Sequence, residues 1–239
     1  MAASDRLIVA LDVSTSAEAQ DIVRAVGPSA SIFKVGKQLF TAEGPQVVRD
    51  LVGSGRRVFL DLKFHDIPNT VAAAAKAASQ LKVAMFTVHA SGGTAMLRAA
   101  VEAAAGGPQV LAVTVLTSLN DADLQQIGVS GRVLDQALRL AQLAKVNGCG
   151  GIISSPREVR QLRQALGTGF TIVTPGVRPP GSAAGDQARV DTPQAAIAAG
   201  ADYVVVGRPI TAAPDPASAA RTIAEQIAGA EEQLLVSRS

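Results

Sequence analysis

The amino-acid sequence predicts an α/β fold, a single (β/α)8 TIM barrel that forms one catalytic domain over residues 1–239. Short apolar runs typical of buried parallel strands alternate with helical patterns along the chain. The alternation yields eight strands and eight helices, and the 239 residues are close to the ~250 that such a barrel typically takes. An open doubly wound sheet is the other arrangement of parallel units, but no Gly-x-Gly-x-x-Gly turn follows the first strand, as a dinucleotide-binding sheet would require. We therefore expect the sheet to close.

The strands are predicted from short apolar runs that are rich in β-branched residues. The first run is nearly continuous, as expected for a strand buried on both faces, and a lysine, Lys34, interrupts the second. The predicted strands are residues 7–13, 32–36, 58–62, 85–89, 110–116, 151–154, 170–174 and 203–206.

Helical patterns follow each strand, and several have recognisable ends. Ser14-Thr15-Ser16 offers an N-cap to the first, with Glu18 in its first turn. Gly53 ends the second, and Pro68 opens the third at a position where its missing N–H costs nothing. The predicted helices are residues 16–26, 43–52, 68–81, 94–104, 133–146, 156–166, 192–199 and 216–235.

Composition excludes several classes of function. A hydrophobic fraction of 48% supports a buried core, and 18% charged residues are too few for a disordered chain. A net charge of +2, no Trp and one Tyr argue against nucleic acid as a partner. No apolar stretch reaches the ~18 residues that span a bilayer, and the N-terminus does not resemble a signal peptide. We expect a soluble cytoplasmic protein without a membrane partner.

The cysteine and histidine content argues against a metal site. Cys149 is the only cysteine, so neither an intrachain disulfide nor a cysteine-rich metal site can form. We expect it to be a small buried residue rather than a reactive thiol, because nothing basic neighbours it. His65 and His89 are too few for a zinc site, which takes three or four ligands. We expect both histidines to have structural roles.

Polar residues fall at the carboxyl ends of the predicted strands, where the active site of a barrel lies. Such residues at the equivalent ends of many strands are hard to attribute to chance. They are Asp12, Lys34, Asp61, Lys63, His89, Thr117, Ser118, Arg178 and Arg208, which Gly207 precedes, with Asp66 on the loop after the third strand.

The third strand carries the densest charge. Asp61 and Lys63 are two residues apart, so on a strand both side chains leave the same face, and Asp66 follows on the loop. A structural ion pair is the alternative, but buried pairs stabilise poorly relative to apolar replacements, which favours a catalytic cluster. Lys34 is assigned to the site. The alternative is a lysine whose side chain extends from the strand to solvent. Asp12 is assigned to a substrate hydroxyl rather than to a helix N-cap.

Two glycine-containing segments after the last two strands predict a phosphate site. They carry Arg178 and the pair Gly207-Arg208, at the place where barrels commonly bind phosphate. Glycine lets backbone amides approach an anion, and an arginine fork binds two of its oxygens. Gln187 can join them from the long loop 178–191, which we expect to act as a lid. The glycine-containing segments favour a phosphorylated small-molecule substrate. The alternative is that they only form ordinary loops.

Residues 61–70, DLKFHDIPNT, resemble the signature of bacterial orotidine 5′-phosphate decarboxylases. Further segments around Asp12, Lys34, Thr117, Arg178 and Arg208 follow in the order that the resemblance requires, so it covers nearly the whole chain. The resemblance implies that orotidine 5′-monophosphate is decarboxylated to uridine 5′-monophosphate, the final step of de novo pyrimidine nucleotide synthesis. It also implies that neither a metal nor an organic cofactor takes part.

The resemblance further implies a role for each matching residue. Lys63 would protonate C6 of the pyrimidine, Asp61 would lie beside the departing carboxylate, and Lys34 would hold Asp61 and a ribose hydroxyl. Asp66, Ile67 and Thr70 would come from the second subunit of a homodimer. The remaining implied contacts are Asp12 with the ribose, Thr117 and Ser118 with the pyrimidine edge, and Arg178, Gln187, Gly207 and Arg208 with the phosphate.

Three other functions stay open at this point. The nearest is a related barrel sugar-phosphate decarboxylase or aldolase that uses magnesium, although Lys34 and residues 64–70 favour the pyrimidine enzyme. The second is Schiff-base chemistry at Lys63. The third is a non-catalytic module that binds a phosphorylated ligand, although such a module would not require the charged cluster.

Overall fold

A computed structural model describes residues 2–178 and 191–236, with side chains described as far as residue 230. Eight parallel strands form a closed barrel in which each strand pairs with its neighbour in chain order and the last pairs with the first. The predicted (β/α)8 barrel is therefore confirmed. The strands are β1 Leu7–Ala10, β2 Ile32–Gly36, β3 Arg57–Phe64, β4 Met85–His89, β5 Gln109–Val113, β6 Gly151–Ile153, β7 Thr171–Thr174 and β8 Tyr203–Val206.

Helices connect the successive strands, one precedes β1 and two follow β8. Short 3-10 turns at Gly27–Ser29, Ala90–Gly92 and Pro156–Glu158 accompany them. The helices are α1 Ala3–Arg6, α2 Ser16–Val26, α3 Lys37–Glu43, α4 Gln46–Gly53, α5 Pro68–Gln80, α6 Gly93–Ala103, α7 Asp121–Gln126, α8 Val133–Val146, α9 Val159–Leu166, α10 Pro193–Ala199, α11 Arg208–Thr211 and α12 Pro216–Val236.

The apolar residues form two cores, because side chains alternate between the two faces of each strand. One set fills the inside of the barrel and includes Ile8, Phe59 and Met85. The other set packs the outer strand faces, such as that of Val9, against the helices. This double burial explains why the strands read as continuous apolar runs rather than as alternating ones.

Strict alternation of eight strands with eight helices is wrong in detail. The second connection carries two helices, α3 and α4, where the sequence predicted one over residues 43–52. The predicted loop before α8 contains α7, whose N-cap Asn120 forms a capping box with Asp123. A further short helix, α11, follows β8 directly. Strands β1 and β5 each end three residues before their predicted ends, whereas β3 extends to Phe64.

Among the described residues, no helix combines the length and the hydropathy that a bilayer span requires.

Candidate active site

A cavity of about 580 Å³ opens at the carboxyl ends of the barrel strands. Its wall brings together residues that lie far apart in the sequence, as the fold predicts for an active site. The predicted site residues that line it are Asp12, Lys34, Asp61, Lys63, Thr117, Arg178, Gly207 and Arg208.

Four charged side chains of alternating sign form a row in this cavity. Lys63 Nζ lies 2.8 Å from both carboxylate oxygens of Asp61. Lys34 Nζ lies 3.9 Å from Asp61 Oδ2 and 2.7 Å from Asp12 Oδ1. The side chains of Lys34 and Asp61 are only 10% and 14% exposed, so each buried charge has an opposite charge beside it. We call Lys63, Asp61, Lys34 and Asp12 the charged row.

The pairing of Lys63 with Asp61 arises from an irregular strand, not from the regular one that the sequence predicted. Leu60 pairs with Phe86 and Phe64 pairs with Val88, so three residues of β3 oppose one residue of β4. Lys63 has a φ of 54°, in the left-handed region that residues with a β-carbon rarely adopt. Both side chains nevertheless face the same cavity, as their spacing predicts, and the bulge lies where they meet.

Asp61 is held in its ionised form by its neighbours. Burial by itself raises the pKa of this carboxyl. The ammonium charges of Lys63 and Lys34, together with hydrogen bonds from Lys63 and Thr87, outweigh burial and lower the pKa below its ordinary value of 3.8. The charged row therefore keeps a carboxylate, and not a carboxylic acid, in the cavity.

Asp12 is not the N-cap of the first long helix. Thr15 caps α2 and completes a capping box with Glu18, as the sequence around these residues predicts. Asp12 lies between β1 and this cap, and its carboxylate accepts a hydrogen bond from Lys34. The backbone of Gly36 passes close by, because a β-carbon at that position would lie 2.9 Å from Lys34 Nζ.

The residues predicted to bind phosphate after β7 and β8, Arg178, Gly207 and Arg208, line the cavity. Gly176 has a φ of 77°, a conformation that glycine adopts without strain. Arg178 N donates to Asp191 O at 2.9 Å, which ties together the two ends of the predicted lid. The interior of that loop, including Gln187, lies outside the described residues.

Asp66, Ile67 and Thr70 do not line the cavity of their own chain. Asp66 is exposed, and its carboxylate accepts a hydrogen bond from Ile67 N at 2.6 Å. Ile67 is 67% exposed and immediately precedes α5. Ser118 is likewise absent from the cavity wall, although its neighbour Thr117 is present.

The two histidines pack against each other beside the charged row. Their rings are 5.2 Å apart at an angle of 40°. Burial and then the nearby charges of His65, Lys63 and Lys37 lower the pKa of His89 to about 4, against the opposing effect of Asp61. His89 is therefore neutral at pH 7.

The single thiol lies in the core. Cys149 is buried, and burial raises its pKa to about 12, as expected for an inert residue. Within the ranges 2–178 and 191–236, no three His, Cys, Asp or Glu side chains gather in a group that could hold a metal ion.

Three polar residues near the charged row escaped the sequence analysis. Lys37 and Gln38 line the cavity at the start of α3, and their position directly after a strand was the signal that could have revealed them. Thr87 is fully buried and bonds both Asp61 and Lys63. A threonine inside an apolar strand carries no signal of that kind.

The chain is similar to known proteins over most of its length. The family model described as "Orotidine 5'-phosphate decarboxylase / HUMPS family" matches residues 5–223. An orotidine 5′-phosphate decarboxylase from Anaeromyxobacter dehalogenans is 55% identical over 94% of this chain and 99% of its own length. One from Heliobacterium modesticaldum is 53% identical over 95% and 98%.

Solved structures give the same result. The crystal structure of an orotidine 5′-phosphate decarboxylase from Lactobacillus acidophilus has a TM-score of 0.83 at 39% identity, covering 93% of this chain and 99% of that chain. The same enzyme from Pyrococcus horikoshii gives 0.78 at 28% identity. The resemblance drawn from residues 61–70 is thus confirmed over nearly the whole chain, which belongs to the orotidine 5′-phosphate decarboxylase / HUMPS family.

Proposed function

We propose that this protein decarboxylates orotidine 5′-monophosphate to uridine 5′-monophosphate and CO2, the last step of de novo pyrimidine nucleotide synthesis. The observation that carries the proposal is the charged row, in which the Lys63 ammonium is fixed on Asp61 inside a cavity of suitable size for a nucleotide. Relatives more than half identical in sequence are named for this activity. The whole chain acts as one catalytic domain.

Lys63 is the proton donor in this proposal. When the bond between C6 and the carboxylate breaks, its electron pair stays on C6 and CO2 departs. The Lys63 ammonium stabilises that carbanion and transfers one proton to it, and the resulting amine regains a proton from water. Because two hydrogen bonds to Asp61 fix the ammonium in advance, little reorganisation is needed as the charge shifts.

Asp61 and Lys34 prepare the site for the substrate. Asp61, kept ionised by its neighbours, would face the substrate carboxylate and raise the energy of the ground state relative to the transition state. Lys34 and Asp12, joined at 2.7 Å, offer one donor and one acceptor group to the ribose hydroxyls. Asp61 and Lys63 thus act at the reacting end and Asp12 at the sugar, while Lys34, which contacts both aspartates, serves both ends.

The ends of β7 and β8, beside Asp12, would hold the phosphate, and the end of β5 would hold the edge of the base. Arg178, Gly207 and Arg208 line the cavity after β7 and β8, and Gln187 would join them from the predicted lid. Binding energy gained at the phosphate can be used to align the distant C6 centre. Thr117 and Ser118, after β5, would meet the pyrimidine edge.

The active form would be a homodimer in the cytoplasm. Asp66, Ile67 and Thr70 are exposed on their own chain, yet they belong to the segment that carries the catalytic pair. In the proposed dimer they enter the cavity of the second subunit, where Asp66 completes the array of carboxylates around Lys63. Ile67 is 67% exposed on its own chain, and the second subunit would cover it.

The test is an assay of the purified protein with orotidine 5′-monophosphate. We expect the pyrimidine absorbance to fall as the carboxylate is lost, and uridine 5′-monophosphate to be recovered as the product. The rate should survive excess chelator, because no step in the proposed reaction uses a metal. An absence of turnover would overturn the proposal.

The same assay separates the rival functions. A magnesium-dependent sugar-phosphate decarboxylase or aldolase would lose activity with chelator and would ignore the nucleotide. Schiff-base chemistry at Lys63 would leave substrate bound to the protein after borohydride reduction. A module that only binds phosphorylated ligands would bind the nucleotide without releasing CO2.

A further inference from the structure

We infer that Thr87 is a positioning residue that holds Lys63 and Asp61 in their working arrangement, an inference that rests on the proposed function. Thr87 lies on β4, is fully buried and does not line the cavity. It therefore has no surface of its own to offer to a substrate. It acts through the two residues to which it is bonded.

A single hydroxyl joins the backbone of one residue of the pair to the side chain of the other. Thr87 Oγ1 accepts a hydrogen bond from Lys63 N at 2.8 Å and donates one to Asp61 Oδ1 at 2.9 Å. Lys63 Nζ donates a hydrogen bond to the same oxygen, Asp61 Oδ1, at 2.8 Å. A hydroxyl has one donor and two acceptor sites, so the two bonds are compatible and fix its proton on the side of Asp61.

The bulge in β3 explains why this position needs a hydroxyl. Three residues of β3, from Asp61 to Lys63, face Thr87 alone between the regular pairs on either side. The ladder cannot satisfy every backbone group across such a mismatch, and a buried N–H left unbonded is unfavourable. The threonine side chain supplies the acceptor for Lys63 N–H. It thereby secures a backbone with a φ of 54° that a lysine rarely adopts.

The same hydroxyl sets the orientation of the Asp61 carboxylate. Thr87 donates a hydrogen bond to Asp61 Oδ1, and Lys34 Nζ lies 3.9 Å from Asp61 Oδ2. Rotation of the carboxylate would break at least one of these contacts. Valine at position 87 would keep the shape and the β-branch of threonine but remove both hydrogen bonds. Serine would keep the hydroxyl and lose only a methyl group. The two substitutions therefore separate hydrogen bonding from packing.

The test compares Thr87→Val and Thr87→Ser with the wild type. We expect Thr87→Val to lower kcat roughly 100-fold with KM changed less than about threefold, because only the reacting end is displaced. Thr87→Ser should stay within about threefold of the wild-type kcat. Thr114→Val is the matched control, since Thr114 is also buried and, among the described residues, its hydroxyl bonds only the backbone carbonyl of Ile153. It should keep wild-type kinetics.

Two measurements without turnover test the same inference. Removing the hydroxyl that donates to Asp61 should raise the pKa of this carboxyl, observed by carbon-13 NMR titration, in Thr87→Val but not in Thr114→Val. In the wild type, the Lys63 amide should be protected from hydrogen exchange. This last measurement needs no variant, so it applies even if Thr87→Val does not fold.

Failure of the inference can be told apart from failure of the proposed function. If the wild type does not decarboxylate the nucleotide, the proposed function falls, while the titration and the exchange still report on Thr87. A wild-type kcat in Thr87→Val, a loss no larger than that of Thr114→Val, or a freely exchanging Lys63 amide would each overturn the role of Thr87.

Discussion

Lys63 reaches Asp61 from a backbone conformation that lysine rarely adopts. Such strain persists only where the surroundings over-determine it, and here two hydrogen bonds to Asp61 and one to Thr87 do so. These bonds leave the Lys63 ammonium little freedom to reorient. At the scale of single residues, the site is therefore organised before any substrate arrives, as electrostatic stabilisation requires.

Replacing Lys63 by alanine should remove the chemistry and leave binding. We expect turnover of orotidine 5′-monophosphate to fall at least ~10³-fold, because both the carbanion's cation and its proton source are lost. The affinity for uridine 5′-monophosphate, measured by calorimetry, should change little because Arg178 and Arg208 remain. Lys82→Ala is the control, since Lys82 also has a positive φ but is exposed in the turn after α5. Wild-type rates in Lys63→Ala would contradict the assignment.

His89 should make the fold sensitive to moderate acid. Its pKa of about 4 in the folded protein lies below the ordinary 6.5, so the unfolded chain binds a proton first as the pH falls. Stability is then lost between pH 6.5 and about 4. In His89→Gln, the difference in melting temperature between pH 7.5 and pH 5 should shrink by about 2–4 °C. An unchanged difference would show that His89 does not cause the loss.

At the scale of elements, the junction of β2 and α3 supports the sugar end of the charged row. Lys34 lies in β2, and Gly36, two residues later, ends the strand and caps α3. The Lys34–Asp12 pair fits against the bare backbone of Gly36, where a β-carbon would lie 2.9 Å and 3.1 Å from the two charged groups. The strand end thus contributes a space as well as a side chain.

Adding one methyl group at Gly36 should therefore weaken substrate binding. Gly36 has a negative φ, so alanine introduces no backbone strain and the melting temperature should stay close to that of the wild type. We expect KM for orotidine 5′-monophosphate to rise about tenfold, because losing a charge-assisted contact to the ribose costs on the order of 1.5 kcal/mol. Gly53→Ala is the control, since a β-carbon there meets nothing within 4 Å. An unchanged KM would argue that this pair does not meet the ribose.

At the scale of the whole molecule, periodic features were predictable from the sequence and context-dependent ones were not. The apolar runs gave the eight strands and their closure because every strand is buried on both faces. Helix α7 was also predictable from the sequence, since Asn120 and Asp123 form a capping box at its start. The bulge at Lys63 was not, because it depends on a hydroxyl that β4 places opposite β3. Tertiary contacts of that kind leave no periodic trace.

The proposed dimer predicts that two inactive variants regain activity when their subunits are mixed. Lys63→Ala and Asp66→Ala should each be inactive alone, the first for lack of a proton donor and the second for lack of the partner's carboxylate. In a mixed dimer, one cavity carries both substitutions and the other carries neither. If subunits exchange freely, half of the dimers are mixed, so mixing equal amounts should restore about a quarter of the wild-type activity for a two-fold symmetric dimer.

The control is to mix Lys63→Ala with Asp61→Ala, whose side chains share one cavity within a single chain. Every cavity in that mixture carries one substitution, so it should stay inactive. Recovery in the first mixture alone would place Asp66 across the interface, because no arrangement within one chain can rebuild an intact site from two defective ones. If neither mixture recovers although subunit exchange is demonstrated, Asp66 acts within its own chain, and catalysis does not depend on a shared site.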